Sequence, residues 1–151
     1  MTYFSPEPKR RKEEFFNMEE ELDKMKKSLR GKLTVVTGLR RTGKTSLILT
    51  FLNEENLDYV YLDCRLLPMG MFSLSSFLEI LEDELNRKSW ARKLLERVEG
   101  VKLGEFGIKL SRKEATVLNI LRALEGKILV IDEAQELRRS PYRFTSLLAY
   151  A

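Results

Sequence analysis

Residues 38–45, GLRRTGKT, constrain the fold of this chain more than any other segment. They fit the pattern G-x-x-x-x-G-K-[ST] at every fixed position. Glycines let the backbone turn tightly enough for several N–H groups to face one anion, and a helix that starts there adds its positive end. The sequence supplies the required flanks, because an apolar β-branched run precedes the loop and helically spaced apolar residues follow it.

Alternating strand and helix patterns predict an α/β fold with a parallel sheet, because strands separated by helices are joined by right-handed crossovers. Short apolar runs predict buried strands at residues 33–37, 59–62 and 128–132. Helices are predicted over 73–87 and 90–98, and further helices are predicted from two capping boxes, Asn17 with Glu20 and Ser111 with Glu114. The alternation in 101–110, VKLGEFGIKL, predicts a β-hairpin that turns at Gly104-Glu105.

We expect a single domain over residues 13–151. A basic arm over residues 1–12 precedes it and contains the run Lys9-Arg10-Arg11-Lys12. That run is either a nucleic-acid contact or a solvated lead-in balanced by the acids that follow.

Two acids, Asp132 and Glu133, end the third predicted strand. The carboxyl ends of parallel strands open on the ligand crevice of an α/β sheet, so both acids are expected near the loop. Asp132 would hold Mg²⁺ together with Thr45, and Glu133 would orient an attacking water or accept its proton. Lys44 would reach the β- and γ-phosphates. The predicted nucleotide-binding residues are consecutive: Gly38, Leu39, Arg40, Arg41, Thr42, Gly43, Lys44, Thr45 and Ser46.

Weaker candidates lie around these residues. Gln135 either senses the γ-phosphate or solvates the next turn. Arg40 and Arg41 either neutralise phosphate or remain solvated. Arg138 and Arg139 are candidate arginine fingers, because they lie just past the acidic pair.

Composition excludes several kinds of chemistry. The 151 residues contain no His and one Cys, which excludes His-based acid–base catalysis, an internal disulfide and a cysteine-rich zinc site. The net charge of +4 is compatible with an anionic ligand. No segment approaches the ~20 apolar residues that cross a bilayer, and the N-terminus lacks a signal-peptide pattern. The cytoplasm is therefore the expected compartment, with no membrane partner.

The segments TVVTGLRRTGKTSLI and ILVIDEAQELRRS, residues 34–48 and 128–140, resemble the archaeal-type P-loop ATPase family. Its members include the signal-transduction ATPases with numerous domains, and they are related to AAA-type and origin-recognition ATPases. The resemblance implies a three-layer α/β/α P-loop NTPase fold, ATP and Mg²⁺ as ligands, and hydrolysis that drives a conformational switch.

It also implies that the hairpin near residues 100–110 is an insertion in the domain, and that a sensor strand and a winged-helix-like region follow the acidic strand. We therefore expect a sheet that is incomplete at the C-terminus, weak catalysis and self-association.

Two other functions stay open. The chain could bind ATP or ADP as a switch that does not turn over, which tight ATP binding without phosphate release would reveal. It could also be a DNA-associated AAA-like module, for which DNA binding would depend steeply on salt and on residues 9–12.

Overall fold

The computed structural model describes residues 8, 10, 18–31, 33–39, 42–144 and 146. The chain divides into two compact units, Met1–Asp58 and Tyr59–Ala151. None of the helices in the described ranges reaches the length and hydropathy that a membrane span requires. The elements are α1 Glu19–Ser28, α2 Lys44–Glu54, β1 Tyr59–Asp63, α3 Leu74–Asn86, α4 Ala91–Leu94, β2 Val101–Gly104, β3 Gly107–Leu110, α5 Glu114–Ala123 and β4 Ile128–Asp132. Two 3₁₀ turns, Cys64–Leu66 and Ala134–Arg139, follow β1 and β4.

The first unit contains helices α1 and α2. Lys26 Nζ of α1 donates to Glu55 Oε1 at 2.9 Å, which joins α1 to the residue that caps α2. Four large apolar side chains of α2 are buried: Leu47, Leu49, Phe51 and Leu52. Burial of these apolar side chains therefore holds α2, the helix that follows the loop, in place.

Residues 33–37 form no strand, so this sequence prediction was wrong. The segment 33–39 has no regular secondary structure, and Leu33 and Val35 are 81% and 71% exposed. β-branched residues favour strands, but a strand is stable only when a neighbour completes its hydrogen bonds. Among the described residues, no strand pairs with this segment.

The second unit contains a parallel pair, β1 with β4, which confirms the predicted α/β class with a parallel sheet. Tyr59 lies opposite Ile128, and Asp63 lies opposite Asp132. The register therefore brings the carboxyl ends of both strands to the same edge, as expected for parallel strands.

The two faces of β1 differ in character because successive side chains point to opposite faces of a strand. Val60 and Leu62 are fully buried in the core that α3 and α5 cover. Tyr61 and Asp63 lie on the other face and are half-buried. The Tyr61 N–H donates to Glu84 Oε1 of α3 at 3.1 Å, so a side chain rather than another strand satisfies this backbone group.

The predicted hairpin is present as antiparallel β2 and β3, with Val101 opposite Leu110. Its turn residues are Glu105 and Phe106, one position later than the sequence suggested. The Asn86 side chain of α3 accepts the Ile108 N–H at 2.7 Å and donates to the Ile108 carbonyl at 2.9 Å. The hairpin is therefore attached to α3 through both backbone groups of one residue.

The sequence predicted where the helices lie more accurately than the residues at which they begin and end. α3 matches the predicted 73–87, whereas α4 is shorter than 90–98. The N-cap of α5 is Lys113 and not Ser111, because the Ser111 N–H bonds to the Gly100 carbonyl at 2.7 Å and extends the base of the hairpin. Asn17 lies outside the described residues, and Met18 occupies the N-cap of α1.

Candidate functional site

The loop ends where α2 begins. Gly43 has φ +84°, a left-handed conformation that glycine adopts without strain. The first hydrogen bond of the helix runs from the Leu47 N–H to the Gly43 carbonyl at 2.8 Å. The N–H groups of the first turn, residues 44–46, consequently face out of the helix end, where the helix dipole is positive.

The Lys44 side chain folds back over the loop. Its Nζ donates to the carbonyls of Gly38 at 2.9 Å and Leu39 at 2.6 Å, and the Thr42 hydroxyl donates to the Leu39 carbonyl at 2.8 Å. A Cβ added at Gly38 would lie 3.3 Å from Thr42 Oγ1, so a side chain there would require the Thr42 hydroxyl to shift. An ammonium has three donors, and the two carbonyls leave a third for an anion. These residues therefore fit a phosphate group.

The structure describes some, but not all, of the other residues predicted to bind the nucleotide. Thr45 and Ser46 lie in the first turn of α2 and are half-buried. Arg40 and Arg41 lie outside the described residues. Leu39 is 81% exposed, and it contributes the carbonyl that both Lys44 and Thr42 bind.

The acidic pair at the end of β4 is held by hydrogen bonds within the second unit. The Tyr61 hydroxyl donates to Asp132 Oδ2 at 2.6 Å, and the Glu133 N–H donates to Asp132 Oδ1 at 2.9 Å. The orientation of the Asp132 carboxylate is therefore defined on both oxygens. Glu133 has φ +52°, uncommon for a residue other than glycine, and its carboxylate accepts a hydrogen bond from the Gln135 amide.

Tyr61 is the residue that the sequence interpretation missed. Burial, and then the hydrogen bond to Asp132, raise the pKa of its hydroxyl above the ordinary value of 10.0. The phenol therefore remains a donor at neutral pH. The alternation Tyr59, Tyr61, Asp63 places it on the polar face of β1, but only the pairing with β4 shows which acid it contacts.

Neighbouring charged residues have local partners. Arg65 binds Asp63 through two guanidinium nitrogens, and this ion pair holds the pKa of the Asp63 carboxyl below its usual range. Arg139 donates to the carbonyls of Pro68 and Gly70 at 2.6 and 2.7 Å. The guanidinium of this candidate arginine finger thus holds the loop before α3, whereas Arg138 is exposed.

Comparisons with known proteins agree with these features. A family described as an AAA domain matches residues 28–150. Among solved structures, the Walker-type ATPase of Pyrococcus abyssi is similar, with 29% sequence identity and a TM-score of 0.73. The similarity covers 98% of this chain and 45% of that chain, so this chain spans less than half the length of that relative. No curated protein matches the sequence.

Proposed function

The chain belongs to the AAA domain family, and on this premise we propose that it binds Mg²⁺ and ATP at residues 38–46 and hydrolyses ATP to drive a conformational switch. Its fold is that of the P-loop ATPases, as the sequence resemblance implied. The family membership supports nucleotide binding. The choice of ATP, the hydrolysis and the switch are our proposal.

The observation that carries the proposal is the position of the Lys44 ammonium. It lies within hydrogen-bonding distance of two carbonyls of the loop, directly above the start of α2. A cation held there beside outward-facing N–H groups is complementary to the β- and γ-phosphates of a nucleotide.

We assign the remaining roles by residue type. Thr45 and Asp132 would hold Mg²⁺, since a hydroxyl and a carboxylate are the hard oxygen ligands that this ion prefers. When bound, Mg²⁺ neutralises charge on the phosphates. Glu133 would orient the attacking water and accept its proton, and the Gln135 amide beside it would keep the carboxylate in place.

Titration with a fluorescent ATP analogue tests the binding site. We expect Lys44→Ala to weaken affinity by about 10- to 100-fold, because a hydrogen bond to a charged group contributes roughly 1.5–3 kcal/mol. Lys24→Ala is the matched control, because Lys24 lies in α1 and its ion pair in the described residues is with Glu20 at the surface. Near-normal affinity in a folded Lys44→Ala protein would refute the assignment.

Phosphate release over many turnovers tests hydrolysis separately. Glu133→Gln should keep ATP affinity and lose phosphate release, whereas Asp132→Asn should weaken the Mg²⁺-dependent part of binding. Tight binding by the unmodified chain with no phosphate release would instead support the switch that does not turn over. We also propose the cytoplasm as the compartment, because the single cysteine, Cys64, is an unpaired thiol.

A further inference from the structure

The hairpin β2–β3 is held rigidly against its neighbours. Besides the two hydrogen bonds from Asn86, Glu82 Oε2 of α3 accepts the Leu110 N–H at 2.7 Å. On the other side, Arg92 Nη1 donates to the Gly104 carbonyl at 2.9 Å, beside the turn. Hydrogen bonds therefore fix the hairpin at both its base and its turn, so the side chains exposed at the turn have a defined position.

The segment that contains the hairpin is strongly basic. Residues 87–113 include nine Lys and Arg and three Glu, so the local excess is larger than the net charge of +4 of the whole chain. The basic residues are Arg87, Lys88, Arg92, Lys93, Arg97, Lys102, Lys109, Arg112 and Lys113. Four of them pair with the two buried acids of α3, Glu82 and Glu84.

Of the remaining five basic side chains, Arg92 holds the turn of the hairpin, and the other four are available to a ligand. Lys93, Arg97, Lys102 and Lys113 are exposed, and within the described part of the chain they form no ion pair. Lys102 lies directly opposite Lys109 on the outer face of the hairpin, although like charges at opposed positions destabilise a strand pair. Arg92 and Lys93 also line a groove of about 710 Å³, together with Ser89, Glu96, Val101 and Leu103.

An aromatic side chain stands at the tip of this basic surface. Phe106 occupies the second turn position and is 101% exposed. Because hydrogen bonds from α3 and Arg92 hold the hairpin in place, the Phe106 ring is exposed in the folded protein at a fixed position. Phe106 does not contribute to the core, and because its ring stays in water on folding it adds no hydrophobic stabilisation to the fold.

We propose that the hairpin and α4 bind a nucleic acid strand with unpaired bases. The exposed cations Lys93, Arg97 and Lys102 contact phosphates, and Phe106 stacks on a base. This combination of a basic surface with an exposed ring is what strands of unpaired bases require, and stacking accepts every base. Double-stranded nucleic acid offers no free base face to the Phe106 ring within the duplex, because its bases are already stacked on one another. The inference does not depend on the nucleotide site.

Fluorescence anisotropy of a labelled oligodeoxythymidine of about 20 nucleotides tests the proposal with the whole 151-residue chain, without ATP. We expect binding that weakens as salt increases. Phe106→Ala should lower affinity by about 5- to 150-fold, the range measured for loss of one stacked base, and Phe106→Trp should retain it. Lys102→Glu should lower affinity about tenfold and reduce the slope of log affinity against log salt by about 0.7 or more.

Arg122→Glu is the matched charge control, because Arg122 is exposed on α5 and the substitution changes the net charge equally. It should bind the oligonucleotide as the unmodified chain does. Three results would overturn the proposal: equal losses in Arg122→Glu and Lys102→Glu, unchanged affinity in Phe106→Ala, or tighter binding of a duplex of the same length. Displacement of the oligonucleotide by polyglutamate at equal charge concentration would also overturn it, since a general polyanion site needs no ring.

Discussion

Replacing Tyr61 by Phe should separate orientation of Asp132 from the rest of the site. The substitution removes one hydroxyl and with it the 2.6 Å hydrogen bond to Asp132 Oδ2. Hydrogen bonds to charged groups contribute roughly 1.5–3 kcal/mol, and half-burial of both partners favours the lower end. We expect Tyr61→Phe to lower the free energy of unfolding by about 1.5 kcal/mol, which for a chain of this length lowers Tm by about 3–6 °C.

The same variant should affect Mg²⁺ more than ATP. If Asp132 holds Mg²⁺ and Tyr61 fixes its carboxylate, the Mg²⁺ concentration that gives half-maximal ATP binding should rise about tenfold, as for loss of other groups that orient metal ligands. ATP affinity measured without Mg²⁺ should be unchanged. Titration of Mg²⁺ at fixed fluorescent ATP analogue gives both quantities without relying on turnover.

The control for this experiment is Tyr59→Phe. Tyr59 lies on the same face of β1 two residues earlier, and in the described residues its ring contacts Lys88 while its hydroxyl makes no hydrogen bond. It should leave both Tm and the Mg²⁺ midpoint unchanged. A Tyr61→Phe protein with a lowered Tm but a normal Mg²⁺ midpoint would show that the contact stabilises the sheet only, and our reasoning would be wrong.

The pH dependence of this contact has a definite sign. The folded-state pKa of Tyr61 is raised above 10.0, so the native protein binds the phenolic proton more tightly than the unfolded chain does. The stability that results is fully present below pH 10 and is lost as pH rises through the folded-state pKa. Tyr61→Phe should therefore lose stability less steeply than the unmodified chain above pH 10.

Three further predictions concern the second unit. Burial alone would raise the pKa of Glu82, but the hydrogen bond from the Leu110 N–H and the two neighbouring cations outweigh burial and hold that pKa below 4.5. The stability that ionised Glu82 contributes should therefore be lost as pH falls below 4.5. Urea unfolding of Glu82→Gln at a series of pH values should not show this loss of stability. In the same assay, Gly107→Ala should lower the free energy of unfolding by about 1–3 kcal/mol or more, because Gly107 has φ +133° and the new Cβ would lie 2.4 Å from Asn86 Oδ1. Gly104→Ala is the control and should be nearly neutral, because its Cβ would meet only an ordinary contact. Burial raises the pKa of the Cys64 thiol to about 12, so maleimide should label it slowly in the native protein and rapidly in denaturant, and equal rates would contradict its burial.

The sequence alone determined the features that depend on neighbours along the chain. The spacing of apolar residues predicted α3 and β4, the alternation over 101–110 predicted the hairpin, and the glycines of residues 38–45 predicted the tight turn before α2. These features follow from side-chain periodicity and backbone freedom within a few residues, which the sequence records directly. The same local information supported the resemblance to P-loop ATPases.

Only the tertiary structure decided the features that depend on distant partners. The strand propensity of residues 33–37 was misleading, because a strand also needs a neighbour to complete its hydrogen bonds and the described residues supply none. β1 and β4 pair although more than sixty residues separate them, and that register places the Tyr61 hydroxyl on Asp132. No local pattern encodes which acid a tyrosine on a polar strand face will reach, since hydrogen bonds between strands are set by register and not by spacing along one strand.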